Sequence, residues 1–511
     1  MRRALSQLTF CQQAYLLIAF SLLARLLYVA FYPVNLAGDE AYYWDWGRRP
    51  DYGYYSKPPL ISWLYTAVDF IGRGSLFGIR AAAAIFSSLA LLTLHRLCLD
   101  LFGDKTARTM VLIALAIPAN AVLSFFLTID APLMLWWTLS LWLFWRSLRS
   151  PTSWWVLPCL FLTLGLGHLT KQMMMAFPVL AVLYLSIDPA HRRSLRRPEL
   201  WLVLFGSYLS LIPPLIWNAQ HDWITFTHTK HHFETGRSEG SMVLARLEDF
   251  ISFIGTQFGA LSPIFGFAIL ALSLSGLFRL LRVTSALRYL LVFGGIPLAG
   301  MLLLALRQEL QPNWPAVFYL PGVILVAAWY EKQFAFAFPP TSWRIFQKAG
   351  YGLGFALVAY FYFSPMVFAA MGQSGHIADP NRRLLGHDLV VAEFQKIRAT
   401  QTDADSVCVI ALGHRDSASH LAFLLPDQPR VYRWPGSSRI ESQYEMWPGP
   451  LEDGWRGKDA MILLPGEGDL PKAFAKAFAR TERLATFSVA LHSKATRDYA
   501  VYRGYDLQTW P

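Results

Sequence analysis

The sequence predicts a polytopic α-helical membrane protein with about 11 transmembrane helices and a small C-terminal α/β extracytoplasmic domain. Three observations predict it. Of 511 residues, 54% are hydrophobic and only 15% charged, against roughly a quarter charged in an ordinary soluble domain. Apolar runs near the roughly 20 residues that a 30 Å bilayer core requires recur as far as Met371. Beyond that point the composition becomes that of a soluble unit, so the expected domains are 1–371 in the membrane and 372–511 outside it. A net charge of +11 would by itself suit nucleic acid, but residues 1–371 hold 28 basic and 17 acidic side chains and the rest hold 17 of each. The excess lies wholly in the apolar part, where it marks membrane topology, and no nucleic-acid partner is expected.

Taken in order, the first apolar stretch, Gln13 to Phe31, follows Met1-Arg2-Arg3 without a small-residue cleavage site and is expected to stay as a helix. The eleven expected spans centre near Phe20, Leu89, Leu115, Leu139, Leu162, Val182, Ser207, Ile269, Pro297, Val323 and Leu357. Basic residues fall on alternate connections: Arg2/Arg3, Lys105/Arg108, Arg146/Arg149, Arg192 to Arg197, Arg279/Arg282/Arg288 and Arg344/Lys348. These face the cytoplasm by the positive-inside rule. The N-terminus is then cytoplasmic, and the connections Pro33 to Leu76, Trp217 to Phe250 and Arg307 to Pro315 lie outside with the C-terminal domain.

That domain shows β-like runs at Ser406 to Leu412, Arg430 to Trp434, Ala460 to Leu464 and Tyr499 to Tyr505. Helix-like runs occupy Ser417 to Leu425 and Leu470 to Arg483. Cys11, Cys98 and Cys159 sit in apolar segments and Cys408 alone in the tail, which supports neither a disulfide framework nor a CxxC metal site.

The polar residues of the outer connections are the site candidates. Gly38-Asp39-Glu40 precedes the aromatic run Tyr42-Tyr43-Trp44, and adjacent carboxylates at a membrane interface are costly unless used. One of them, Asp39 or Glu40, would serve as a base, or Gly38-Asp39 simply caps a short interfacial helix. Lys57, fixed by Pro58-Pro59, is placed to hold a phosphate or to snorkel to the headgroups. Asp130, in Thr128-Ile129-Asp130-Ala131-Pro132, is a third acidic candidate or a helix start. Lys171 is a candidate contact for a phosphate or a carboxylate, and Arg307 either clamps a phosphate with the planar fork that binds two oxygens or simply ends its helix. Tyr42, Tyr43, Tyr55 and Trp314 are candidates to line a substrate cavity. In the histidine-rich connection, His228 and His232 stand one helical turn apart with Glu234 nearby, a weak metal signal. No cofactor is expected to be required, and a divalent metal is the one option these residues leave open.

Taken together, Gly38-Asp39-Glu40, Tyr42-Tyr43-Trp44, Ser56-Lys57-Pro58-Pro59, Thr128-Ile129-Asp130-Ala131-Pro132, Trp217-Asn218-Ala219-Gln220-His221-Asp222-Trp223 and Asn313-Trp314-Pro315-Ala316 resemble bacterial integral-membrane glycosyltransferases. The likeness is to the protein-mannosyltransferase and aminoarabinose-transferase type within the C-type glycosyltransferase superfamily, and it runs from about Arg25 to Tyr330. It implies transfer of one sugar from a polyprenyl-phosphate donor to a lipid A, glycolipid, polysaccharide or protein acceptor at the outer side of the cytoplasmic membrane. It also implies Asp39 as the catalytic acidic residue with Glu40 beside it, Lys57 as the donor-phosphate contact, and Asp130 as the acid of the second outer loop. Lys171 keeps the family's lysine without its usual neighbours. The competing classes are a lipid-linked-sugar flippase and an oligosaccharide ligase or polymerase. The outer rather than midplane charges disfavour the first, and the Gly38-Asp39-Glu40 pattern disfavours the second.

Overall fold

The computed structural model describes residues 8–32, 34–150, 152–234, 242–335, 343–401, 406–437, 439–492 and 495–510. The chain divides into two compact units. One comprises Met1–Phe31, Lys57–Leu60 and Ile79–Tyr360; the other comprises Tyr32–Ser56, Ile61–Gly78 and Phe361–Pro511.

The first unit is helical, and all eleven expected centres fall in its helical segments or in the helix Trp343–Ala370 that leaves it. Among the described residues, five helices are long and apolar enough to cross a membrane: Phe10–Phe31, Leu76–Phe102, Pro198–Gln220, Ser285–Ala305 and Ile345–Ala370. A sixth arises if the bent pair Arg246–Leu261 and Pro263–Leu277 counts as one span. The eleven expected segments correspond to a mixture of long, short and broken helices. The breaks have local causes. Pro263 lacks an N–H and disfavours helical backbone in the residue before it, and Ser262 accordingly turns to φ +66°, where the pair bends by 110°. Lys171, in extended backbone between Val156–Thr170 and the 3₁₀ turn Gln172–Met175, makes a similar interruption.

Helices pack closely where side chains are absent. A Cβ on Gly354 would sit 2.4 Å from the Ala116 carbonyl oxygen, a backbone atom that cannot swing aside, which is the small-residue approach typical of membrane helices. Gly354→Ala is expected to destabilise the chain by about 1–3 kcal/mol, read as a lower melting temperature in detergent. An unchanged melting temperature would show that the helices separate freely there.

The second unit holds a five-stranded sheet. Its strands are β1 (Cys408–Leu412), β2 (Val431–Trp434), β3 (Ala460–Pro465), β4 (Phe478–His492) and β5 (Ala495–Leu507), in the order β2-β1-β3-β5-β4. The first three are parallel, and β5 runs antiparallel to both β3 and β4. Helix Arg415–Leu424 makes the crossover from β1 to β2, as parallel neighbours require. The helix expected over Leu470 to Arg483 is corrected: only Lys472–Ala475 is helical, and the chain then enters β4. Ala, Lys, Arg and Glu make that run locally helix-prone. Pairing with β5 along nearly all of β4 overrides the preference, and Phe478 lies over Gly504, where a Cβ would come within 2.6 Å of its ring.

The connections expected as loops also contain helices. Gly38–Gly47 and Leu60–Gly72 lie between the first two long helices, and Ile224–Glu234 and Met242–Leu261 lie in the histidine-rich stretch.

Candidate active site

Within the second unit, Gly38–Gly47 forms a ten-residue helix whose start is built by its own acidic residues. Glu40 is fully buried and turns back, accepting from the Ala37 N–H at 2.9 Å. A carboxylate in the first turn also suits the helix dipole. Asp39 points elsewhere. Its side chain is 48% exposed, and Oδ1 accepts from an Arg415 guanidinium N–H at 2.6 Å. Burial is the largest single influence and works against the Arg415 charge, but Asp39, Tyr42, Tyr43 and Asp416 together outweigh it and hold the guanidinium above its ordinary pKa. The same guanidinium lies 4.6 Å from the centre of the Tyr42 ring. The docking is close at Gly38, where a Cβ would meet the Asp416 carboxylate and push that side chain aside.

The aromatic residues that follow are the bed on which this helix rests. Tyr42 is fully buried, Tyr43 and Tyr55 nearly so. Tyr42 and Tyr43 both meet Trp46 edge to face, and Trp46 stacks on Tyr54 at 4.3 Å. The turn Gln443–Glu445 then clamps the helix. The Gln443 N–H donates to the Tyr42 hydroxyl, Tyr55 N–H donates to Gln443 Oε1 at 2.7 Å, and the Tyr444 hydroxyl donates to buried Asp45 at 2.8 Å. Burial pushes the Tyr42 and Tyr444 phenols well up, so both stay protonated. Tyr444→Phe would leave the Asp45 carboxylate short of a donor, and a loss of about 1–3 kcal/mol of stability is expected. Thermal unfolding checks it; an unchanged midpoint would mean that Asp45 does not depend on this bond.

Within the first unit, Asp130, Lys171 and Asn313 come together. Asp130 is the first residue of helix Asp130–Arg149. Its Oδ1 accepts from Lys171 Nζ at 2.9 Å and its Oδ2 from Asn313 Nδ2 at 2.6 Å. Both members of the ion pair are buried, with side-chain exposures of 10% for Lys171 and 5% for Asp130. The extended backbone at Lys171, which breaks the helix, is what admits its side chain to this pair. The Lys171 ammonium, a candidate contact for a phosphate or a carboxylate, meets a carboxylate here.

Lys57 is partly buried in the first unit, at the turn before helix Leu60–Gly72. Arg307 is exposed just past helix Ile296–Ala305. Trp314 packs against a small apolar cluster of Phe253, Ala305 and Leu310. The Trp217 to Trp223 motif is a helix-to-helix turn: Asn218 O accepts from the N–H groups of His221 and Trp223, and Asn218 Oδ1 from Thr225 N–H. His228 lies on helix Ile224–Glu234, whereas the side chains of His232 and Glu234 lie outside the described ones. No group of three His, Cys, Asp or Glu side chains suited to a metal occurs among the described residues.

Sequence reasoning missed Arg415, Gln443 and Tyr444, which reach helix Gly38–Gly47 from about 400 residues away. No local signal marks them. Asn313 stood in a quoted motif but without a role.

Comparison with known proteins agrees with this architecture. Residues 56–217 match the family described as dolichyl-phosphate-mannose-protein mannosyltransferase. The chain is 27% identical over 433 residues to the lipid A galacturonosyltransferase RgtD of Rhizobium johnstonii, covering 82% of this chain and 84% of that protein. Its fold is similar to the crystal structure of ArnT from Cupriavidus metallidurans in the apo state, with a TM-score of 0.62, 16% identity and coverage of 96% of this chain and 97% of ArnT. ArnT bound to undecaprenyl phosphate gives a TM-score of 0.62 at 17% identity, covering 95% and 97%.

Proposed function

We infer that this chain, a membrane glycosyltransferase of the protein-mannosyltransferase and aminoarabinose-transferase type, transfers a monosaccharide from a polyprenyl-phosphate donor to a cell-envelope acceptor at the outer face of the bacterial cytoplasmic membrane. The observation that carries this reading is the half-exposed Asp39 carboxylate, held through one oxygen by Arg415, in a chain similar to the lipid A galacturonosyltransferase and to ArnT.

A polyprenyl phosphate is a good leaving group, so the chemistry needs no nucleotide. An acceptor hydroxyl attacks the anomeric carbon as the carbon–oxygen bond to phosphate breaks. Its proton goes to Asp39, whose fixed partner Arg415 keeps the carboxylate aimed. Lys57 offsets the charge that develops on the leaving phosphate. One displacement inverts the anomeric carbon, so a β-linked donor yields an α-linked product. Where the acceptor is itself a phosphate, Asp39 has no proton to take and instead orients it through a hydrogen bond. The name of the galacturonosyltransferase makes lipid A the first acceptor to try.

Reconstitution in liposomes tests the reading. With a polyprenyl-phosphate sugar and lipid A supplied, acceptor-dependent release of polyprenyl phosphate is expected, with the sugar recovered on the acceptor. Movement of intact donor across the bilayer without release would overturn transfer in favour of flipping. In the same assay Lys57→Met is expected to raise the KM for donor about tenfold or more, the scale of one lost charge-assisted hydrogen bond. An unchanged KM would remove Lys57 from the phosphate site.

A further inference from the structure

The second unit contains a cleft of about 750 Å³ that the transfer chemistry does not use. Its volume lies within the range of about 300–1,000 Å³ in which proteins hold small ligands. Three indoles contribute to its wall: Trp510, Trp447 with the Arg49 guanidinium 4.1 Å from its ring centre, and the nearly buried Trp434; two guanidiniums, Arg439 and Arg456, stand at it, and Glu452 is in the lining too. Both arginines are exposed and belong to no ion pair among the described residues. Arg433 in the same cleft is different, being paired with Glu441 and Glu445. The indole wall is built rather than incidental. A Cβ on Gly449 would come within 3.1 Å of the Trp510 ring, and Trp510 is further seated on Phe474 at 6.1 Å.

Flat indole faces accept the apolar C–H side of a sugar ring, and their N–H edges serve its hydroxyls. Unpaired guanidiniums bind carboxylate or phosphate oxygens in pairs. We propose that this cleft is a binding site for an anionic saccharide, a sugar bearing phosphate or carboxylate, and that it holds the glycan part of the acceptor. Its wall includes Tyr444 and Glu445, members of the turn whose Gln443 and Tyr444 clamp the helix that carries Asp39. An occupant therefore presses on the element that sets the carboxylate's position.

The acceptor assignment rests on the transfer reading, whereas binding of the saccharide does not, so the two are measured apart. Calorimetry on the purified full chain in detergent uses N-acetylglucosamine 1-phosphate, N-acetylglucosamine and inorganic phosphate as probes, with no donor present. The sugar phosphate is expected to bind at least about tenfold more tightly than either of the others, since each lacks one class of contact. The double variant Arg439→Glu/Arg456→Glu, at exposed positions, is expected to lose at least about tenfold in affinity at an unchanged melting temperature. Equal binding of phosphate and sugar phosphate, no binding by the native chain, or full binding by the double variant would overturn the site. In the liposome assay the same variant is expected to raise the acceptor KM while donor hydrolysis stays unchanged. An unchanged acceptor KM with binding lost would leave a saccharide site and overturn its role for the acceptor; no transfer by the native chain would instead overturn the transfer reading.

Discussion

Asp39→Asn is expected to lower sugar transfer by about 10²- to 10⁴-fold, the usual contribution of a positioned base, while leaving the fold intact. The side chain is 48% exposed, and asparagine keeps its shape and still accepts a hydrogen bond from Arg415, so little stability should go with the charge. The loss should appear in kcat, because an amide cannot take the acceptor's proton whether or not substrates are bound. Arg415→Met should act more weakly and through the same step, since Arg415 positions the carboxylate without reaching the reacting atoms. Turnover in liposomes and melting temperature in detergent check both. Transfer by Asp39→Asn within about threefold of the native rate would remove Asp39 as the base.

The second large effect belongs to the buried pair in the first unit. Asp130→Asn leaves the Lys171 ammonium, 10% exposed, without its carboxylate, and a loss of about 3–5 kcal/mol is expected from an uncompensated buried charge. Lys171→Met should cost a similar amount by orphaning Asp130. The double variant Asp130→Asn/Lys171→Met removes both charges together, and most of the stability should return, because the desolvation that each charge demanded goes with it. Thermal unfolding of the four proteins forms the cycle. A double variant less stable than either single one would show that the two residues do not act as a pair.

How much of this was legible in the sequence depends on the range of the forces involved. Apolar length and alternation are local, and they yielded the helical segments and the runs that became β1, β2, β3 and β5. They misread β4, where a helix-prone run is held extended by a partner strand. Asp39 was legible as a carboxylate out of place beside an aromatic run, or with Gly38 as the cap of a short helix, whereas the residue that turns back to close that helix is Glu40. Arg415 was not legible, because an arginine at the start of an ordinary crossover helix carries no mark of a partner 376 positions earlier. Asp130 and Lys171 were each noticed, as an acid and as a contact for a phosphate or a carboxylate. Their pairing across 41 positions depends on an extended residue in a broken helix, which no periodicity displays.

Addition of a single sugar to an envelope component is read out by mass spectrometry of envelope glycolipids and glycoproteins from the native host, with and without the chain and with Asp39→Asn at equal expression. One defined component lighter by one monosaccharide is expected in both altered strains. An unchanged profile, or an intact lipid-linked sugar accumulating on the cytoplasmic side, would contradict such addition.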